Sequence, residues 1–160
     1  MSESAINIFK RFNIEDLIND VLSDLRNLTK TGQKIVYINQ NCEQIYSDKS
    51  LLRKILINLC SNAIKFSGDE SSITIQTASH ADGFSLAVSD QGIGISEEDQ
   101  KHLFDRFFRG VNVTNIQGTG LGLHIVAKYT EILGGKVQIN SQLNLGTTVI
   151  VEFPLLSDER

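Results

Sequence analysis

The sequence predicts an α+β fold, a two-layer sandwich of helices against a sheet. Three observations carry this: helical runs and strand hairpins are grouped rather than strictly alternating, 160 residues fit one domain, and 41% apolar residues suffice for a single core. The elements follow in order. In "FNIEDLINDVLSDLRNLTKTG", Ile14, Leu17, Ile18, Val21, Leu22, Leu25 and Leu28 recur at helical intervals, and Gly32 provides a stop. "QKIVYIN" alternates Ile35 and Tyr37 against Val36 and Ile38, and a second strand is expected over 44–46, before Asp48 offers an N-cap. A long helix over about 49–66 follows. "ITIQTAS" and "FSLAVSD" flank "HADG", whose Asp-Gly pair predicts an antiparallel hairpin. Ser96, with Asp99 three residues on, approximates a capping box and starts a short helix. A further helix over about 121–133 stops at Gly134-Gly135, and "KVQINSQ" with "GTTVIVEFP" closes the chain as a hairpin.

Composition narrows the function. The net charge is −4 and no Lys/Arg run exceeds a pair, which argues against a generic nucleic-acid or anionic-membrane surface, so an anionic ligand has to be held locally. Cys42 and Cys60 form no CxxC pair, and Cys60 falls inside an apolar helical run; a reducing, cytoplasmic setting is expected. No stretch nears the roughly 18 consecutive apolar residues of a membrane span.

On the long helix, Lys54, Asn58, Ser61, Asn62 and Lys65 share one sector about 100° wide. This stripe faces either solvent or a polar cavity. Two asparagines four apart are poor surface helix formers and put neutral oxygen donors on one face, suited to Mg²⁺, while Lys65 one turn on could meet a phosphate. In "SDQGIGIS", Asp90 ends a strand and precedes Gly92 and Gly94: a carboxylate able to accept from an exocyclic amine, beside backbone that can approach a flat ring. The same pattern also occurs in plain surface turns. Phe104, Phe107 and Phe108 are spaced for core packing, and Arg109 leaves that cluster toward a glycine loop. "GTGLGLHIV" lacks the Lys-Ser/Thr ending of a Walker loop and follows no strand, yet glycine amides entering a helix suit an anion.

In this order, these segments resemble the catalytic and ATP-binding domain of sensor histidine kinases. "LLRKILINLCSNAIKFS" is similar to the asparagine box, "SDQGIGIS" to the first glycine box, "LFDRFFRG" to the phenylalanine box, "GTGLGLHIV" to the second glycine box and "GTTVIVEF" to the closing glycine-threonine strand. The resemblance implies the Bergerat fold, with a mixed, mostly antiparallel sheet on three main helices, shared with chaperone, topoisomerase and mismatch-repair ATPases. It implies domain bounds of 12–156, with 1–11 a tail or linker from a preceding acceptor-helix domain and 157–160 a C-terminal tail.

It further implies that Asp90 reads the adenine amine, helped by Gly92, Gly94, Ile95 and Thr147 or Thr148. Asn62 and Asn58 would hold Mg²⁺. Lys65, Arg109 and the segment Gly118, Thr119, Gly120, Leu121, Gly122 and Leu123 would receive the triphosphate of ATP, with Phe104 beside the site and 110–117 a mobile lid. The implied catalytic set is Asn58, Lys65 and Arg109. In hydrolysing relatives the position of Asn58 is a glutamate that activates water, and an amide cannot take that proton, so slow hydrolysis and γ-phosphoryl transfer to a histidine are expected.

No histidine here heads a phosphoacceptor motif: His80 precedes Ala81, His102 precedes Leu103 and His124 precedes Ile125. The implied partners are therefore a phosphoacceptor helical hairpin elsewhere in the same kinase and a downstream response regulator, with no nucleic acid; the full kinase is expected to be a homodimer and this domain a monomer. A degenerate ATP-binding module and an anti-sigma-type serine kinase are the rival classes. The complete phenylalanine box favours the histidine kinase.

Overall fold

The computed structural model describes residues 8–101 and 123–154. A five-stranded sheet runs in the order β2 (Lys34–Gln40), β4 (Ser72–His80), β5 (Gly83–Asp90), β7 (Gly146–Pro154) and β6 (Lys136–Gln142). Only the β2–β4 pair is parallel, and the other three are antiparallel. Three helices, α1 (Ile14–Leu25), α2 (Lys49–Phe66) and α4 (Leu123–Ile132), supply the second layer, and a short α3 (Glu97–Gln100) follows β5. The sandwich expected from the sequence is the one formed.

Period-2 alternation sends Ile73, Ile75, Leu86, Val88, Val149 and Val151 into one core with Ile14, Leu17, Leu52, Ile55, Leu56 and Leu59 from the helices. Helix α2 packs against both α1 and α4. Arg53 pairs with Asp20 at 3.0 Å and with Asp24, which links α1 to α2; as an exposed cluster it contributes at most about 1 kcal/mol. Cys60 is fully buried, and burial pushes its thiol up to about 12.

The expected bounds of α2 and its N-cap match the structure. Asp48 Oδ1 accepts the Leu51 N–H at 3.2 Å, while Oδ2 accepts the Ile8 N–H at 3.1 Å. Helix α4 ends in a Schellman motif: Gly134 has φ +79°, and the Gly134 and Gly135 amides donate to Glu131 and Thr130.

Two local expectations are corrected, and the expected antiparallel β4–β5 hairpin forms through a different turn. Helix α1 stops at Leu25, and Leu28, counted on its apolar face, lies in a turn at 55% exposure. A strand β1 (Lys10–Asn13), absent from the sequence reading, pairs with β3 (Gln44–Ser47) as a separate antiparallel ribbon. The β4–β5 hairpin turns at Ala81-Asp82 without positive φ, so Gly83 is not there for a primed turn; a Cβ on it would lie 1.9 Å from the Phe153 carbonyl. Among the described residues, no helix is long and apolar enough to cross a membrane.

Candidate functional site

Asp90 is the last residue of β5, in register with Thr147 at the start of β7. Its Oδ1 accepts two backbone N–H groups, from Gly92 at 2.9 Å and from Thr147 at 3.2 Å. Burial pushes the carboxyl above its ordinary value, and those two donors pull part of the shift back. The result is a half-buried carboxylate, already oriented, with one oxygen engaged by the backbone.

The loop after Asp90 is fixed on both sides. Toward the helices, Ile93 donates to the Phe66 carbonyl at the end of α2 at 3.2 Å, and a Cβ on Gly92 would lie 2.2 Å from that same oxygen. Toward the sheet, Gly94 has φ +73°, and a Cβ there would lie 1.9 Å from the Gln142 carbonyl. Asn144, in the β6–β7 turn, donates to the Ile93 carbonyl at 2.7 Å, and Ile95 donates to Ser141 Oγ at 2.8 Å. Gln100 closes the corner by donating to the Ile95 and Ser141 carbonyls at 2.8 and 3.2 Å.

The end of α2 that carries Phe66 also carries the asparagine stripe. Asn58, Ser61 and Asn62 are half-buried, and Lys54 and Lys65 at its edges are exposed. The Asn58 amide donates to the Lys54 carbonyl at 2.9 Å, which orients the side chain. At the helix C-terminus, Lys30 Nζ donates to the Lys65 and Ser67 carbonyls, and Gln33 donates to those of Ile64 and Gly68, so the last turn is capped by side chains from the α1–β2 connection.

Of the residues singled out in the sequence, the structure brings Asp90, Gly92, Gly94, Ile95 and Thr147 together at one rim, joined to the turn that follows Asn62 and Lys65. It separates the two threonines: Thr147 lies on the same side of the sheet as Asp90, whereas Thr148 points to the other face and bonds Ser89 Oγ at 2.9 Å. Leu123 is 4% exposed within the apolar core, so its side chain is engaged in packing. Phe104, Arg109, Gly118, Thr119, Gly120, Leu121 and Gly122, and the segment 110–117, lie outside the described residues. Sequence reasoning missed the Phe66 carbonyl, Ser141 and Gln100, all of which hold the rim. Their roles depend on strand register and helix position, and no residue-type pattern signals them.

The chain is a helix-backed mixed-sheet sandwich with an oriented carboxylate at one rim, and comparison with known proteins specifies its class. The model of the histidine kinase-, DNA gyrase B-, and HSP90-like ATPase family matches residues 47–157, and the chain belongs to that family, whose domains bind ATP. The chain is similar to the sensor histidine kinase YvrG of Bacillus subtilis (39% identical over 110 residues, covering 66% of this chain and 18% of that protein). It is also similar to the circadian input-output histidine kinase CikA of Synechococcus elongatus (33% over 149 residues, covering 89% of this chain and 20% of that protein). The chain therefore spans about a fifth of the length of these relatives. A nucleotide-free catalytic domain of the histidine kinase ThkA superposes with a TM-score of 0.78 at 30% identity, covering 92% of this chain and 95% of that one.

Proposed function

We propose that this chain is the ATP-binding catalytic domain of a sensor histidine kinase, which binds Mg-ATP and passes its γ-phosphoryl group to a histidine on an acceptor domain of the same kinase. The observation that carries the reading is Asp90: with Oδ1 held by the Gly92 and Thr147 amides, Oδ2 is left to accept from the exocyclic amine of adenine. The close backbone at Gly92 and Gly94 gives the base a flat floor, and Ile95 adds apolar surface beside it.

The donor set on α2 fits Mg²⁺. Asn58 has its amide nitrogen on Lys54, which leaves a hard neutral oxygen, and Asn62 lies one turn on along the same face. In this reading the ion is held by a few protein oxygens together with nucleotide phosphates. When bound there, Mg²⁺ supplies charge neutralisation at the phosphates. Lys65, and Arg109 from the following segment, add positive charge for the triphosphate, and the glycines from Gly118 to Gly122 add backbone donors. Without a carboxylate at Asn58, no group on this stripe takes a proton from water, which favours transfer over hydrolysis. The partners in this reading are the acceptor hairpin and, downstream, a response regulator.

Incubation of the chain with γ-labelled ATP and the separately made acceptor domain tests it. Label on the acceptor that survives base and is lost in acid is the expected result. ATP binding with no transfer refutes the kinase reading and leaves a binding module.

A further inference from the structure

We propose that Ser141 is a positioning residue that fixes the hydrogen-bond polarity of Thr147, and through it the preference of the site for adenine over guanine; this rests on the ATP reading above. Ser141 faces Thr147 across the β6–β7 pair. Its hydroxyl meets three groups: the Ile95 N–H at 2.8 Å, the Gly146 carbonyl at 3.1 Å and Thr147 Oγ1 at 2.8 Å.

A hydroxyl has one proton and two lone pairs, so one arrangement satisfies all three contacts. The Ile95 N–H can only donate, and it takes one lone pair. The Gly146 carbonyl can only accept, and it takes the proton. Thr147 then donates its own proton to Ser141, and its oxygen has only lone pairs to offer a ligand. Thr147 is also the register partner of Asp90, on the same side of the sheet. The rim thus sets two acceptors side by side, a carboxylate and a hydroxyl whose proton is already engaged. With the six-position substituent of the base against this pair, adenine brings an amine, whereas guanine brings a carbonyl oxygen, and acceptor would face acceptor. Without Ser141, the Thr147 hydroxyl is free to turn and donate, and the discrimination weakens.

The test is calorimetric titration of the 160-residue chain with ATP and with GTP, in wild type, Ser141→Ala, Ser141→Thr, Thr147→Val and the Ser141→Ala/Thr147→Val double variant. Ser141→Ala is expected to lower the ATP-to-GTP affinity ratio by about tenfold, Ser141→Thr to restore it, and the double variant to fall no further than Thr147→Val alone. Equal loss of both nucleotides in Ser141→Ala, an unchanged ratio, or additive losses in the double variant would overturn the inference. If Ser141→Ala does not fold, Thr147→Val decides, because an unchanged ratio there removes Thr147 from base selection. A wild-type chain that binds no ATP overturns the underlying reading as well; a wild type that binds ATP and loses it in Asp90→Asn, beside an unselective Ser141 effect, overturns this inference alone.

Discussion

At the Asp90 end of the sheet, a Cβ on Gly94 would lie 1.9 Å from the Gln142 carbonyl; at the opposite end, a Cβ on Gly83 would lie 1.9 Å from the Phe153 carbonyl. Both ends pack backbone on backbone through a glycine, and both are lined with polar side chains. The far end even has a cleft of about 470 Å³ bordered by His80, Asp82, Lys136 and Glu152. What sits beside each glycine differs. Next to Gly83, Phe84 stacks on Phe153 with ring centroids 5.0 Å apart, and the close approach serves apolar packing. In the same loop as Gly94, beside Gly92, stands a half-buried carboxylate whose one oxygen is held by two amides. A glycine at close quarters marks dense backbone at both ends, and only the Asp90 end adds a partly desolvated charge that this backbone orients.

Asp90→Asn breaks this contrast most sharply. Its amide oxygen can still take the Gly92 and Thr147 donors, which puts the NH₂ where the ligand amine arrives, donor against donor. ATP affinity is expected to fall by about 100-fold or more, with thermal stability nearly unchanged; unaltered binding by calorimetry would remove Asp90 from the site. The glycines give the next test. Gly83→Ala and Gly94→Ala should each destabilise by about 1–3 kcal/mol in urea titrations, but only Gly94→Ala should also weaken ATP binding in the folded fraction. Equal nucleotide effects would erase the distinction between the two ends.

Asn62→Ala should cost about tenfold in ATP affinity when Mg²⁺ is present and little in EDTA, with the fold retained. Acidification probes Asp90 directly. Because its folded value is raised above 3.8, protonation begins at a higher pH than for an ordinary carboxylate. The linkage has two signs. The native state binds the proton more readily than the unfolded chain, so the contribution of this group to stability is present below 3.8 and is lost as pH rises through the folded value. In the proposed site ATP affinity is expected to run the other way, relying on the ionised form and falling as pH drops through that value. Affinity that holds steady down to pH 3.8 would contradict the raised value. The smallest effect is expected for Thr148→Val, which loses a bond to Ser89 worth about 0.5–1.5 kcal/mol and leaves ATP affinity within about twofold.

Elements that bury an unbroken periodic face were legible in the sequence. Helix α2 and its Asp48 cap were, because seven buried apolar positions repeat at helical spacing. Strand β1 was not: "KRFN" has no alternation, abuts a helix, and pairs with the non-local strand β3. The end of α1 was misread because Leu28 continues the period after the backbone has left the helix. At the proposed site, residue types pointed to Asp90, Gly92 and Gly94, which the fold brings to one rim. They could not choose between Thr147 and Thr148, since neighbours on a strand face opposite ways and only the pairing with β5 tells which one meets Asp90. The hydroxyl of Ser141 and the carbonyl of Phe66 carry no signature of their own, since any strand or helix supplies such groups.

The two oxygens of Asp48 have a mechanical consequence. One holds the first turn of α2 and the other holds the amide of Ile8, so a pull on the chain at Ile8 is delivered to the start of a rod rather than spent in a slack loop. The rod is 18 residues, or about 27 Å, long, and its far end grips the Gly92–Ile93 loop through Phe66. Strain applied at one end of α2 therefore reaches the floor beside Asp90 through a stiff lever.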